Sequence, residues 1–234
     1  MLKEFGQGIW IVDGPPVTGA AGFHFPTRMV VMRLSEGVVI WSPVALTQEL
    51  QEAVQALGPV LWIVAPSKLH DLFVAEWQNA FPTAQCLVAP GLREARPDLR
   101  VDGVLGSGSP EGWREELDHV IFPNRIADEA ILFHRASGTL VICDLLQQMP
   151  AGWYSGWRAL VARADLMTGS EPQVPRKFRL ATRRRDEARR VIGAITTWPV
   201  SAIVMAHGTP VIKDAGDHLR RAFRWLMGQA SGQQ

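Results

Sequence analysis

Val60-Leu61-Trp62-Ile63-Val64-Ala65-Pro66-Ser67-Lys68-Leu69-His70-Asp71 joins an uninterrupted apolar run to a polar turn. Six apolar residues in a row, Val60 to Ala65, lack the alternation of a half-exposed strand. They read as a strand buried on both faces, the kind found where helices cover a sheet. The flanks agree. Thr47 to Leu57 places Leu50, Val54 and Leu57 on one helical face behind a Thr47 N-cap, and Gly58-Pro59 ends it. Leu69 to Ala80 reads as a second helix and Gln85 to Ala89 as a second strand. This β-α-β order predicts a sheet covered by helices.

Towards the N-terminus, Ile9 to Val12 is a short apolar run and Gly14 to Thr27 a Gly- and Pro-rich loop. Met29 to Leu34 and Val38 to Trp41 form a hairpin through Ser35-Glu36-Gly37. Beyond a loop over 103–112, three strands follow at His119 to Phe122, Ala130 to His134 and Thr139 to Cys143. The last two are joined by Ala136-Ser137-Gly138, and Asp144 stands at the end of the third. Helices are predicted over Trp153 to Asp165, Arg183 to Thr197 and Asp214 to Met227. One more strand, Ser201 to Ala206, runs into His207-Gly208. The expectation is one domain over 1–234 with a frayed tail from 228.

Composition excludes more than it selects. The 234 residues carry a net charge of +1, with 47% hydrophobic and 20% charged residues, so overall charge names no partner. No run is long and apolar enough to span a membrane, and no secretion signal opens the chain, so a cytoplasmic protein is expected. Cys86 and Cys143 sit in apolar strands without C-x-x-C spacing, which suits a reducing compartment. Arg176 to Arg190 has a local charge of +6 from eight basic and two acidic residues. A solvated helix face is the expected explanation, and nucleic acid is not the expected partner. The segment Gly106 to Gly112 has the wrong glycine spacing for a nucleotide loop, and no Gly-x-Ser-x-Gly elbow is present.

Three apolar strands end in chemically useful residues: Lys68, His70 and Asp71 after the first, Asp144 after the second, His207 after the third. Rigid strand ends hold such side chains in place, and a small-molecule pocket is expected there. His24 and Arg28, in and beside the Gly/Pro-rich loop, are candidate ligand contacts. His134, inside a strand, reads as a sheet-face histidine.

These segments carry a resemblance. The chain resembles the metallo-β-lactamase-like hydrolases, and more narrowly a bacterial branch of them with no assigned function. The segments are Pro26-Thr27-Arg28-Met29, Trp41-Ser42-Pro43-Val44, Val64 through Phe73, Pro90-Gly91-Leu92 with Arg96-Pro97-Asp98-Leu99, Phe133 through Asp144, and Ala206-His207-Gly208. The resemblance implies an α/β fold of the four-layer αββα sandwich type and a hydrolase ancestry. The superfamily's metal motif is Thr-His-x-His-x-Asp-His. Here Ala65 stands for the Thr, Pro66 and Lys68 for the first two His, His70 for the Asp and Asp71 for the last His. The next His falls near Asn124 or Arg125, the bridging Asp on Asp144 and the final His on His207. One metal site has therefore lost its imidazoles, since proline, protonated lysine and arginine do not ligate metals. A single site of His70, Asp71, Asp144 and His207 for zinc or iron stays open. So does a metal-free cluster in which Lys68 neutralises Asp144 or Asp71. The expected function is a divergent hydrolase of a small ester, thioester, lactone or phosphate-like substrate. His70 or His207 would serve as base, Asp144 would orient it, and Lys68 would stabilise an oxyanion. The alternative is a non-catalytic ligand- or protein-binding descendant without metal.

Overall fold

The computed structural model describes residues 1–106, 108, 110–113 and 115–228. The tail over 229–234, and Ser107 and Ser109 of the rejected glycine loop, lie outside them.

Among the described residues, eleven strands make two sheets. The first sheet holds β1 (Lys3–Gly6), β2 (Ile9–Thr18), β3 (His24–Arg33), β4 (Val38–Trp41), β5 (Val60–Ala65), β6 (Gln85–Val88) and β7 (Gly103–Val104), side by side in chain order. The second holds β8 (Leu117–Phe122), β9 (Glu129–His134), β10 (Thr139–Gln148) and β11 (Ala202–Gly208), in the order β11-β10-β9-β8. Pairing is antiparallel from β1 to β4 and parallel from β4 to β7. The change comes where α1 (Gln48–Gln55), α2 (Val74–Ala80) and α3 (Leu92–Ala95) begin to separate successive strands. After β10 come α4 (Gly156–Ala164), α5 (Arg176–Ala181) and α6 (Arg185–Ile195), and after β11 come α7 (Ala215–Ala222) and α8 (Arg224–Met227).

Three cores stacked on one another make the four layers of the expected αββα sandwich. Leu50, Val54, Trp77 and Leu92 of the first helices pack on Val31, Ile40, Ile63 and Val88. Between the sheets lie Val30, Trp41, Val64, Leu132, Val141 and Val204. On the far side Phe178, Ile192, Leu219 and Phe223 cover Phe133, Ile142, Ile203 and Met205. Neighbours such as Ile63 and Val64, or Val141 and Ile142, thus face opposite cores, and both are apolar because both faces of each sheet are covered.

Three expectations change. Most of Gly14 to Thr27 is strand: β2 and β3 stay paired as far as Thr18 and His24, and the turn is confined to the tip. Pro15 and Pro16 are tolerated because the register slips between Gly14 and Val17 there, so no ladder donor is required of them. The helix predicted from Leu69 starts only at Val74. The residues between are a turn in which buried Ser67 accepts the Leu69 N–H on its Oγ and the His70 N–H on its carbonyl. Asp144 does not end its strand. β10 continues to Gln148, and its pairing jumps from Ile142↔Met205 to Gln147↔His207, so β10 uses five steps where β11 uses two. Asp144 lies in that excursion.

Candidate functional site

The turn after β5, the β10 excursion and the end of β11 bring His70, Asp144 and His207 together. His70 Nε2 stands 3.3 Å from Asp144 Oδ2, and His207 Nε2 stands 3.3 Å from Asp144 Oδ1. The imidazole centroids are 5.1 Å apart. All three side chains are less than a tenth exposed.

Each ring is held by its other nitrogen. His207 Nδ1 is 2.7 Å from the Pro26 carbonyl. A carbonyl only accepts, so Nδ1 carries the proton and the Nε2 of a neutral His207 presents a lone pair to Asp144. His70 Nδ1 is 2.9 Å from Ser42 Oγ. Ser42 follows β4 in a left-handed turn (φ 51°), which carries its hydroxyl towards the site. Asp144 Oδ1 accepts from Gln147 Nε2 at 3.1 Å, whereas Oδ2 is buried without a hydrogen-bond partner. Burial alone would raise the Asp144 carboxyl. The positive charge that His70 brings, with the close approach of both imidazoles, outweighs it and holds the group far below the usual carboxylate range. Burial opposes the charge on His70 too, and Asp144 overcomes it, so His70 is raised.

Behind the site lies Glu129, which the sequence gave no reason to single out. Its carboxylate accepts the backbone N–H groups of Cys143 at 2.8 Å and of Asp144 and Leu145 at 3.0 Å. Those are residues that the excursion separates from β11, so Glu129 takes the place of a neighbouring strand. Burial, reinforced by the Asp144 charge, pushes its carboxyl up to about 7. Cys143 Sγ is within 4.8 Å of ligand atoms of His70 and Asp144. Burial, with the charges of Glu129 and Asp144, drives its thiol pKa well up, and it belongs to the inter-sheet core. Both cysteines are free and buried, as their apolar strands predict.

The other sequence candidates fall elsewhere. Asp71 is turned out of the cluster to Arg96, 2.7 Å from its guanidinium, because adjacent residues of the turn project in different directions. Lys68 is exposed and makes no ion pair among the described residues, so it neutralises neither Asp144 nor Asp71. Arg28 is committed to the fold: it pairs with Asp13 at 2.7 Å and donates to the carbonyls of Met205 and Gly208, on either side of His207. His24 lies on the overhanging β2–β3 hairpin, bonded to Thr18, and its carbonyl accepts from Trp153 and Tyr154. Asn124, near a lost imidazole position, is buried and bonded to backbone and Asp128. His134 is a buried strand residue bonded to Ser137. Lys177, Arg179, Arg183, Arg184 and Arg189 of the basic segment are each tied to a separate local partner.

His70, Asp144 and His207 open onto a cavity of about 310 Å³. Val17, Phe25, Leu72, Phe73 and Phe178 give its wall apolar surface, with Gln147 and Lys177 among them. No helix of the described residues is long and apolar enough to cross a membrane.

The comparisons follow this geometry. The structure resembles a metallo-beta-lactamase from Hirschia baltica, with TM-score 0.62, 10% identity and 97% of each chain covered. It also resembles one from Erythrobacter litoralis, with TM-score 0.62, 12% identity and 94% of each chain covered. The metallo-beta-lactamase FIM-1 from Pseudomonas aeruginosa, in its mono-zinc form, gives TM-score 0.60 at 13% identity, covering 97% of this chain and 92% of that one. The fold is therefore the metallo-β-lactamase fold that the sequence resemblance implied. No curated protein matches the sequence. The sequence profile of DUF4336, described as a domain of unknown function, matches residues 7–155. With that match over more than half its length, on a metallo-β-lactamase fold, the chain belongs to the DUF4336 family.

Proposed function

We propose that this protein is a divergent hydrolase that holds one divalent metal ion on His70, Asp144 and His207. The observation that carries the reading is the anchoring of His207 Nδ1 on the Pro26 carbonyl while its Nε2 faces Asp144. With Nδ1–H given to Pro26, its Nε2 lone pair meets a buried carboxylate oxygen at 3.3 Å. Two acceptors face to face repel unless a cation lies between them. An imidazole whose outer N–H is anchored on a carbonyl is the usual arrangement of a metal-ligating histidine. Each imidazole taken by itself has a matching distance to Asp144, 3.3 Å from His70 Nε2 to Oδ2 and 3.3 Å from His207 Nε2 to Oδ1. That is about what two ligand atoms keep around a tetrahedral ion with bonds of about 2.0–2.1 Å. The donors already within 4.8 Å of one another are His70, Asp144 and Cys143. Asp144 Oδ2, buried without a partner, supplies an unsatisfied anionic ligand.

Two imidazoles and one carboxylate leave a position open, as catalytic zinc sites do. A divalent ion held there would lower the pKa of its water and polarise a carbonyl. The protein's own groups do the rest. Ser42 and Pro26 fix the two rings, Gln147 holds Asp144 Oδ1, and the phenylalanine wall limits competing water. In ester hydrolysis the water oxygen bonds to the carbonyl carbon, the C–O bond breaks, and a proton from water ends on the departing alkoxide. A metal-free binding protein is the competing reading. The raised pKa of His70 favours it, since an imidazolium would neutralise Asp144 without a metal.

Elemental analysis of protein purified without chelator separates the two. About one metal per chain is expected for the wild type and none for Asp144→Ala with His207→Ala. Asp71→Asn is expected to keep its metal. A wild type that stays empty after incubation with zinc, iron and manganese would rule the hydrolase mechanism out and leave the binding protein.

A further inference from the structure

A second cavity, of about 280 Å³, meets the first at Ala20, Phe25 and Lys177. It lies between the overhanging tip of the β2–β3 hairpin and α4, where Phe23, Val161 and Met167 line it. Apart from the Asp165–Lys177 pair its wall is apolar. Contacts with the segment before α4 fix the overhang in place. Trp153 Nε1 and Tyr154 OH both donate to the His24 carbonyl, at 2.8 and 2.9 Å, and Phe23 packs edge-on against Tyr154. Phe25 links the two spaces, since its ring lies 5.4 Å from that of His207 and also lines the second cavity.

Charge narrows what fits. Among the described residues, Lys177 is the one lysine or arginine lining either cavity, and its Nζ is already 2.9 Å from Asp165 Oδ2. Arg28, whose guanidinium bonds the carbonyls on either side of His207, is consumed by them and by Asp13. Apart from the proposed metal position, neither space offers an uncompensated lysine or arginine to hold a phosphate group. Both offer apolar surface in which an alkyl or aryl chain would be sequestered from water.

We infer that the second cavity is a chain-binding subsite, and that the substrate is an acyl ester, thioester or lactone whose apolar chain runs past Phe25 while its carbonyl sits at His70, Asp144 and His207. The inference rests on the proposed site but not on its metal, because an apolar cavity takes a chain whether or not an ion is bound.

The test is binding of the straight-chain alcohols 1-butanol, 1-hexanol and 1-octanol, followed by calorimetry, to protein with and without added zinc. A hydroxyl is a small neutral head that can donate to the Asp144 carboxylate when the site is empty and take the open position beside the ion when zinc is bound. Affinity is expected to rise about fourfold per methylene as the chain enters the second cavity, from about 0.8 kcal/mol for each buried CH₂. Val161→Trp, on the exposed face of α4, fills that cavity without touching His70, Asp144 or His207. It is expected to leave 1-butanol affinity unchanged and to abolish the gain from 1-butanol to 1-octanol. In protein without zinc, inorganic phosphate is expected to bind no better than 1-butanol. Affinity that does not change with chain length, or the same slope in Val161→Trp, would overturn the subsite. A protein that takes up no zinc yet shows the slope would lose its metal and keep the subsite.

Discussion

Glu129 shows how much one side chain can carry without touching a ligand. Its carboxylate is the acceptor for three consecutive N–H groups that the departure of β10 from β11 would otherwise leave unpaired. Glu129→Gln keeps the size but turns two N–H donors towards other donors. A buried donor left unmatched costs about 1–3 kcal/mol, and that loss is expected in denaturant melts of Glu129→Gln. Metal uptake is expected to weaken with it, because Asp144 is no longer held. Wild-type stability in this variant would show that water supplies the acceptors instead. In the sequence Glu129 is one acid before an apolar strand, and nothing local distinguishes it from a surface residue. His70, Asp144 and His207 were legible because each follows an apolar run whose burial brings the next polar side chain to a strand end or turn. Asp71 looked equally eligible. Its direction depends on Arg96, which is distant in sequence and reaches it only once α3 has packed.

At the level of elements, β3 and β11 are clamped through Arg28, whose guanidinium bonds the carbonyls of Met205 and Gly208. His207, between them, uses Pro26 of the same β3 as its Nδ1 acceptor. The two contacts set the position of β11 relative to β3 and hence the direction of His207. Arg28→Gln is expected to lower stability by about 1–3 kcal/mol, since two buried carbonyls lose a charged donor. It is also expected to weaken metal binding, measured by titration with cobalt. Unchanged cobalt affinity would show that the Pro26 contact suffices alone. Strand cores were readable from runs such as Val60 to Ala65 and Val38 to Trp41, which the structure reproduces end for end. The β2–β3 overhang was not readable, because Gly14, Pro15 and Pro16 carry turn chemistry. Only pairing with β3 across a register slip makes them strand.

Across the whole molecule, pH stability tests whether buried histidines stay neutral. Burial lowers the pKa of His134 and of His119 below 6.5. Between those depressed values and 6.5 the unfolded chain binds more protons than the folded one. The contribution of these two histidines is therefore expected to be complete above about pH 6.5 and to fall as pH drops below it. It is opposite in sign to that of His70 and Glu129, whose raised pKa values favour the folded state at lower pH. His134→Gln should flatten that fall, and an unchanged pH profile in urea melts would assign it to other groups. Layering was legible because it follows from counting apolar faces: strands apolar on both faces need covering on both, and the helices supply it on each side.

Residue type and order were enough to specify the layers and most strands, since burial periodicity is a local property of a chain. Folding alone could specify that Asp71 leaves the site, that Glu129 supports it, and that a second apolar cavity adjoins it. Those depend on contacts between residues far apart in sequence, whose distances no spacing encodes.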